Sequence, residues 1–342
     1  MALATANVAG FAKRKAESAE NGKLRGIGFG MYLEQCGNGA DDGVDIEFQD
    51  DGRVILHGSQ QCNGQGHQTT VTQILSDRLG YDADLITVKQ GDSNRSPRGT
   101  TGGARMTAVL GSATTVAAAK IIDLAKPFAA EALECDKGDL NFTDGLFLRQ
   151  DTNRSIAIED LVRQLAISGE KHRLNWAQPY ETDGATYPYG CHIIELEIDR
   201  QTCAVDIASY HVVDDFGLVI NPLTLEGQIH GGIAQGVGQA LLEHVVYDDS
   251  GQLLAGSLMD YALPRADHFP GFQISTRNTA CANNVLGIKG SGEAGAIGAP
   301  QAVISAICDA LDITHIDMPA TPLAIFNAMK AKAANSPMHK GE

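Results

Sequence analysis

Glycine in this chain collects where strands give way to helices, and that habit constrains the fold more than any other feature. Of the 38 glycines, 13 cluster in GQGH at 64–67, TTGGAR at 100–105, GQIHGGIAQGVGQ at 227–239 and KGSGEAGAIGAP at 289–300. Glycine adopts positive φ and lets backbone approach backbone or ligand, so clusters of it mark tight turns and close contacts. The flanking patterns then fix what the turns connect.

Residues 9–23 read as a short polar helix stopped by Asn21-Gly22. Leu24 to Leu33 alternate apolar residues with glycine, as a packed strand does, and 45–48 with 54–58 form two strands around Asp51-Gly52. Helix-spaced Val71, Ile74, Leu75 and Leu79 follow the first glycine loop, and 85–88 is a further strand. Residues 91–107 are loop-like, and 111–133 predict an Ala-rich helix interrupted near Pro127. A hairpin at 141–148, a helix at 156–166 and an irregular stretch at 168–188 come next. The order then repeats: strands at 193–198 and 205–213, a helix from the glycine-rich 226–244, and a strand at 245–247. Helices are predicted over 300–311, with Pro300 near its start, and over 322–332. The reading is an α+β fold. It has a helical lead-in (1–23), two α+β subdomains (24–175 and 176–330) with mixed sheets and Gly-rich loops at helix starts, and a disordered tail (331–342).

The formal net charge of −16 excludes nucleic acid and anionic membranes as general partners. The seven cysteines are dispersed, with no C-x-x-C pair, which argues against a structural zinc or a cysteine-held iron–sulfur cluster and suits a reducing compartment. No run of eighteen apolar residues occurs, and the basic residues 13–15 follow the apolar N-terminus instead of preceding it. A cytoplasmic protein is expected.

Several loops carry candidate chemistry. Gly64-Gln65-Gly66-His67 opens a helix, where free N–H groups and the helix dipole favour an anion such as pyrophosphate; a plain strand-to-helix turn explains the same residues. Thr101, Gly102, Gly103, Ala104 and Arg105 offer small residues, a hydroxyl and a cation for a polar ligand, or form a simple surface loop. Gln228 resembles Gln65, an amide among glycines at a helix start. Glu293 stands alone among small residues, and burial would raise its proton affinity toward that of a general base. An ion pair with Lys289 is the competing account. His67 and His230 lack helix-spaced ligand companions, so structural histidines are expected, not metal ligands.

Taken in order, GQGHQTT at 64–70, GGAR at 102–105, NPLTLEGQIHGGIAQGVGQ at 221–239 and KGSGEAGAIGAP at 289–300 resemble the second molybdopterin-binding domain of the xanthine dehydrogenase/aldehyde oxidase family. The likeness is closest to the bacterial aldehyde oxidase and carbon monoxide dehydrogenase large subunits and spans about 10 to 330. The resemblance implies a molybdopterin cofactor, in bacteria usually the cytosine dinucleotide. No protein side chain is a metal ligand, because the pterin dithiolene holds the molybdenum. Gly64, Gln65, Gly66, His67, the loop from Thr101 to Arg105, Gln228, Lys289 and Gly290 would bind the cofactor. Glu293 matches the catalytic glutamate, the general base in hydroxylation of an aldehyde or N-heterocycle carbon by water. Electrons would leave through iron–sulfur and FAD partners. The family's large subunit is about twice this length, and its first half supplies a further active-site glutamine and the substrate-defining loop. The chain is therefore expected to need that N-terminal half and to be inactive alone. The alternative is a non-catalytic cofactor-binding or assembly fragment.

Overall fold

A computed structural model describes residues 1–37, 41–95 and 99–335. The chain opens with α1 (Ala2–Thr5), α2 (Phe11–Glu20), β1 (Lys23–Leu33), β2 (Asp41–Phe48), β3 (Val54–Gly58), α3 (His67–Leu79) and β4 (Ile86–Gln90). Next come α4 (Ser112–Leu133), β5 (Leu140–Thr143), β6 (Leu146–Arg149), β7 (Ser155–Ala157), α5 (Ile158–Ile167) and β8 (Trp176–Glu181). The last part holds β9 (Tyr189–Asp199), β10 (Val205–Asp215), α6 (Pro222–Leu241), β11 (Phe272–Thr276), α7 (Ala294–Leu311) and α8 (Pro322–Asn335).

These elements make an α+β fold with two four-stranded mixed sheets, ordered β4-β3-β2-β8 and β1-β9-β10-β11, and a small sheet β5-β6-β7. In each large sheet one pair is parallel, β3–β4 and β10–β11, and the others are antiparallel. Helices α3 and α4 cover the first sheet around Ile46, Leu56, Leu75 and Ile121. Helices α6 and α7 cover the second around Ile194, Leu196, Ile233 and Val303.

Pairing regroups the strands relative to the linear reading. Linear order groups β1 with 24–175, yet its 11 residues run antiparallel to β9, from Lys23↔Asp199 to Leu33↔Tyr189. Linear order likewise groups β8 with the later residues, yet it pairs with β2. The reason is in β1 itself. Gly26, Gly28 and Gly30 present no side chain to α7, and a Cβ built on Gly28 would lie 1.9 Å from the Ala302 carbonyl oxygen. Helix α7 answers with buried Ala294, Gly298, Ala302, Ala306 and Ala310 at every fourth position. Backbone lies on backbone, and that fit exists only beside α7.

Other local readings also change. Pro127 sits inside an unbroken α4, where fully buried Ala125 and Ala129 outweigh the loss of one helix hydrogen bond. Pro300 lies in the second turn of α7, not at its start, and packs on Gly236 of α6. Helix α6 begins at Pro222, four residues before the sequence-based start, because the Asn221 side chain accepts from the Thr224 N–H at 3.0 Å. Residues 245–247 hold only a bridge between Tyr247 and Leu253, whereas β8 and β11 arise in stretches with no strand pattern. The expected tail from 331 is helical through residue 335, and 336–342 lie outside the described residues. Two helical stretches, Thr107–Leu133 and Ala294–Leu311, are long and apolar enough to cross a membrane, but both supply the cores, 61% and 56% buried.

Helix α2 is tied to the outer face of the second sheet by ions. Arg14 and Arg25 both bond the Glu195 carboxylate, and Arg25 reaches Glu197 at 3.0 Å. Burial acts to raise the Glu195 carboxyl, and the two guanidinium groups overcome it and hold it low.

The β1–α7 contact yields a direct expectation. Gly28→Ala should lower the free energy of unfolding by about 3 kcal/mol or more, since neither backbone can retreat. Urea denaturation followed by circular dichroism measures it, and an unchanged midpoint contradicts the account.

Candidate functional site

Four segments that the sequence keeps apart line one cavity of about 310 Å³, in the range of small-molecule sites. They are the loop before α3, the loop before α4, the β10–α6 connection with the first turns of α6, and the loop before α7. Four helices thus aim their N-termini at one space. Each N-terminus carries unsatisfied N–H groups and a partial positive charge, so their convergence favours a polyanionic guest.

The first loop is a ready anion cradle. Gly64 and Gly66 turn it with φ of 109° and 76°, and Gly66 caps α3 from the left-handed region. Partial burial acts to raise the Cys62 thiol, but the backbone N–H groups of Gly64, His67, Gly66 and Gln65 outweigh it and lower its proton affinity. Those amides already converge on one sulfur. Gln65 and His67 line the cavity, whereas Gly64 and Gly66 shape the turn behind it. Burial holds the His67 imidazole below its ordinary value against a backbone contact at Gln61, and its buried Nδ1 has no hydrogen-bond partner.

The second loop adds Thr101, Gly102, Gly103, Ala104 and Arg105 to the cavity lining. Thr101 Oγ1 donates to the Gln61 carbonyl at 2.6 Å, which ties this loop to the first. Arg105 Nε donates to the Thr100 carbonyl at 3.0 Å, so its guanidinium braces the loop. A single wide π turn, Thr107–Gly111, then leads into α4.

Gln228 also lines the cavity, but from the second turn of α6 instead of a helix-start loop. A Cβ on Gly292 would lie 3.9 Å from Gln228 Oε1, so the amide faces the loop before α7. That approach depends on Gly232 and Gly295, where α6 and α7 nearly touch backbone to backbone.

Lys289, Gly290 and Glu293 complete the cavity. A Cβ on Gly290 would meet the Ala104 carbonyl oxygen at 2.5 Å and Cys36 Sγ at 2.7 Å, so only glycine lets three segments close there. Lys289 does not pair with Glu293. Its Nζ bonds Asp215 Oδ2 at 2.9 Å, with Asp215 1% exposed. Glu293 is exposed, not buried as its surroundings in sequence suggested, and stands as the N-cap residue of α7 at the cavity wall. His230 is not in the cavity wall and packs edge-on against Phe272 at 4.9 Å.

Three contributors were not singled out from the sequence, although Asn221-Pro222 is itself a helix-start signal. Asp215 is defined by its contact with Lys289, and Asn221 by its cap. Glu34, just past β1, meets Glu293: burial first, then the neighbouring Glu293 carboxyl, pushes Glu34 up to about 7.

Asp215 provides a pH test. Burial works to raise its carboxyl, yet the Gly217 N–H, Lys289 and Thr279 hold it at about 2. A depressed carboxyl contributes stability that is full above its unfolded value of 3.8 and is lost as pH falls toward 2. The shift corresponds to about 2 kcal/mol. Urea unfolding across pH 5 to 2, a window set by roughly those values, should show that loss, and Lys289→Met should reduce it.

Comparison with known proteins gives a consistent picture. The family model described as the molybdopterin cofactor-binding domain matches residues 1–270. The carbon monoxide dehydrogenase large chain of Hydrogenophaga pseudoflava is 32% identical over 326 residues, covering 90% of this chain and 41% of that one. Quinoline 2-oxidoreductase from Pseudomonas putida 86 superimposes with a TM-score of 0.87 at 31% identity, over 96% of this chain and 45% of that chain. Reconstituted carbon monoxide dehydrogenase from Oligotropha carboxidovorans gives 0.88 at 28% identity, over 97% and 44%. The chain therefore spans less than half the length of these relatives.

Proposed function

The chain belongs to the molybdopterin cofactor-binding domain family of molybdenum oxidoreductases, and from that premise we propose that it is the cofactor-clasping half of a molybdenum hydroxylase with Glu293 as general base. The observation that carries the reading is the one cavity lined by the loops before α3, α4 and α7 and by the start of α6, with Glu293 in its wall. The polar groups present fit such a cofactor. Gln65 and His67 line the cavity, and the buried His67 Nδ1 lacks a partner.

In this reading the amides at 64–67 and the small residues at 101–105 take the pyrophosphate and nucleotide of a cytosine dinucleotide form. Gln228 and Gly290 seat the pterin end. When bound, the molybdenum–pterin group supplies the two-electron oxidation and the water-derived oxygen that enters an aldehyde or N-heterocycle carbon. Glu293 contributes a carboxylate oxygen that accepts the proton released in that chemistry. The Lys289–Asp215 pair neutralises both charges, which keeps the lysine from competing for Glu293.

Partners follow from length and surface. On the outer face of β1, Phe29, Met31 and Leu33 are 39%, 78% and 68% exposed, an apolar row suited to the N-terminal half of a large subunit. Iron–sulfur and FAD chains would then carry electrons away, and the chain alone is inactive.

Purification with the polypeptides encoded beside it should yield molybdenum and, on acid extraction, a cytosine nucleotide. Preparations lacking both sink the reading. Glu293→Gln should reduce turnover by roughly 10²–10⁴-fold with molybdenum content unchanged. Metal loss in step with activity would instead make Glu293 a structural residue.

A further inference from the structure

One row of side chains joins the outer face of the second sheet to the cavity. Gly26, Gly28 and Gly30 of β1 face α7, so the alternate residues Phe29, Met31 and Leu33 point away from it. On that outer face Leu33 stands opposite Tyr189 of β9, and Tyr189 stands opposite Asp215 of β10. Exposure falls along the row: Leu33 is exposed, Tyr189 is 44% exposed and Asp215 is buried.

Lys289 enters this row from the loop before α7 while lining the cavity. Its Nζ bonds Asp215 Oδ2 at 2.9 Å and lies 4.8 Å from the centre of the Tyr189 ring. Asp215 cannot follow a wandering lysine, because its Oδ1 already accepts from the Gly217 N–H at 2.8 Å and the Thr279 N–H at 3.1 Å. The lysine side chain is only 9% exposed. An ammonium attracted to a ring face gains most when water is excluded. The backbone beside it is anchored as well. Lys289 N–H donates to the Phe216 carbonyl at 2.8 Å, and Gly290 N–H donates to Thr186 Oγ1 at 3.2 Å. Glu293 follows four residues later at the start of α7.

We propose that Tyr189 is a positioning residue for the cavity: its ring and the Asp215 carboxylate together hold the Lys289 ammonium, and this clamp fixes the loop 289–293 in the cavity wall. The clamp is also where the docking face meets the cavity. Tyr189 lies beside Leu33 in the apolar row on which the N-terminal half of the large subunit is read to sit. A polypeptide seated there takes water from the ring, which strengthens the cation–π contact. Docking on the outer face thereby tightens the loop without touching it. That coupling rests on the docking and cofactor readings above, whereas the clamp itself does not.

The test is hydrogen–deuterium exchange of the Lys289 and Gly290 amides in the protein isolated with its partner chains, as wild type, Tyr189→Phe, Tyr189→Leu and Met31→Glu. Tyr189→Leu keeps an apolar side chain but no ring. It should speed exchange of both amides by about three- to thirty-fold, the span of a cation–π contact from exposed to desolvated. The amides of α5, which packs in the other core, should stay as in wild type. Tyr189→Phe keeps the ring and should exchange as wild type does. A leucine variant that matches wild type, a phenylalanine variant that matches leucine, or an equal change in α5 overturns the proposal. Met31→Glu puts a charge on the docking face; it should release the N-terminal half and speed the same two amides. Release with their exchange unchanged overturns the coupling. Retention of that half under Met31→Glu defeats the docking reading instead, and wild type without molybdenum defeats the functional one. In both cases the two Tyr189 variants still decide the clamp.

Discussion

The direct contact of β1 with α7 is the constraint from which the rest of the molecule follows. Three glycines in the strand and a stripe of alanine and glycine in the helix let two backbones meet with no side chain between them. Such a contact has little slack, since a single added methyl would collide with carbonyl oxygens. It therefore fixes the helix along its length and the place of its N-terminus. Residues 289–293 precede that terminus and line the cavity, so their positions are set by the same interface.

A second close contact, Gly232 on Gly295, sets α6 against α7 and turns Gln228 toward Gly292. The chain thus uses small residues twice for rigidity and the remaining glycines for access. Where α3 begins, the turn leaves amides pointing at a sulfur and a histidine nitrogen without a partner. That nitrogen stands ready for a hydrogen bond that the protein does not itself supply. The charged groups around the cavity are arranged so that Lys289 and Arg105 are already engaged.

Much of this was legible in linear order. The α+β character, the glycine loop opening α3, the Ala-rich α4 and the strand at 24–33 all follow from local period and turn chemistry. The candidate residues from 64 to 67, 101 to 105, 228 and 289 to 293 do lie around one cavity, apart from Gly64 and Gly66, which shape it from behind. Helix boundaries were less legible. Proline suggests an interruption at 127 and a start at 300, yet both lie within helices because neighbouring alanines are fully buried.

What the sequence determined by itself is the set of segments and the chemistry each carries, because glycine turns, caps and periodic apolar residues act over a few neighbours. Only the tertiary structure decided which segments meet. The pairing of β1 with β9, the bond from Lys289 to Asp215 and the meeting of Glu34 with Glu293 join residues far apart in the chain. No local pattern encodes such contacts, since they depend on how closely whole backbones can approach one another.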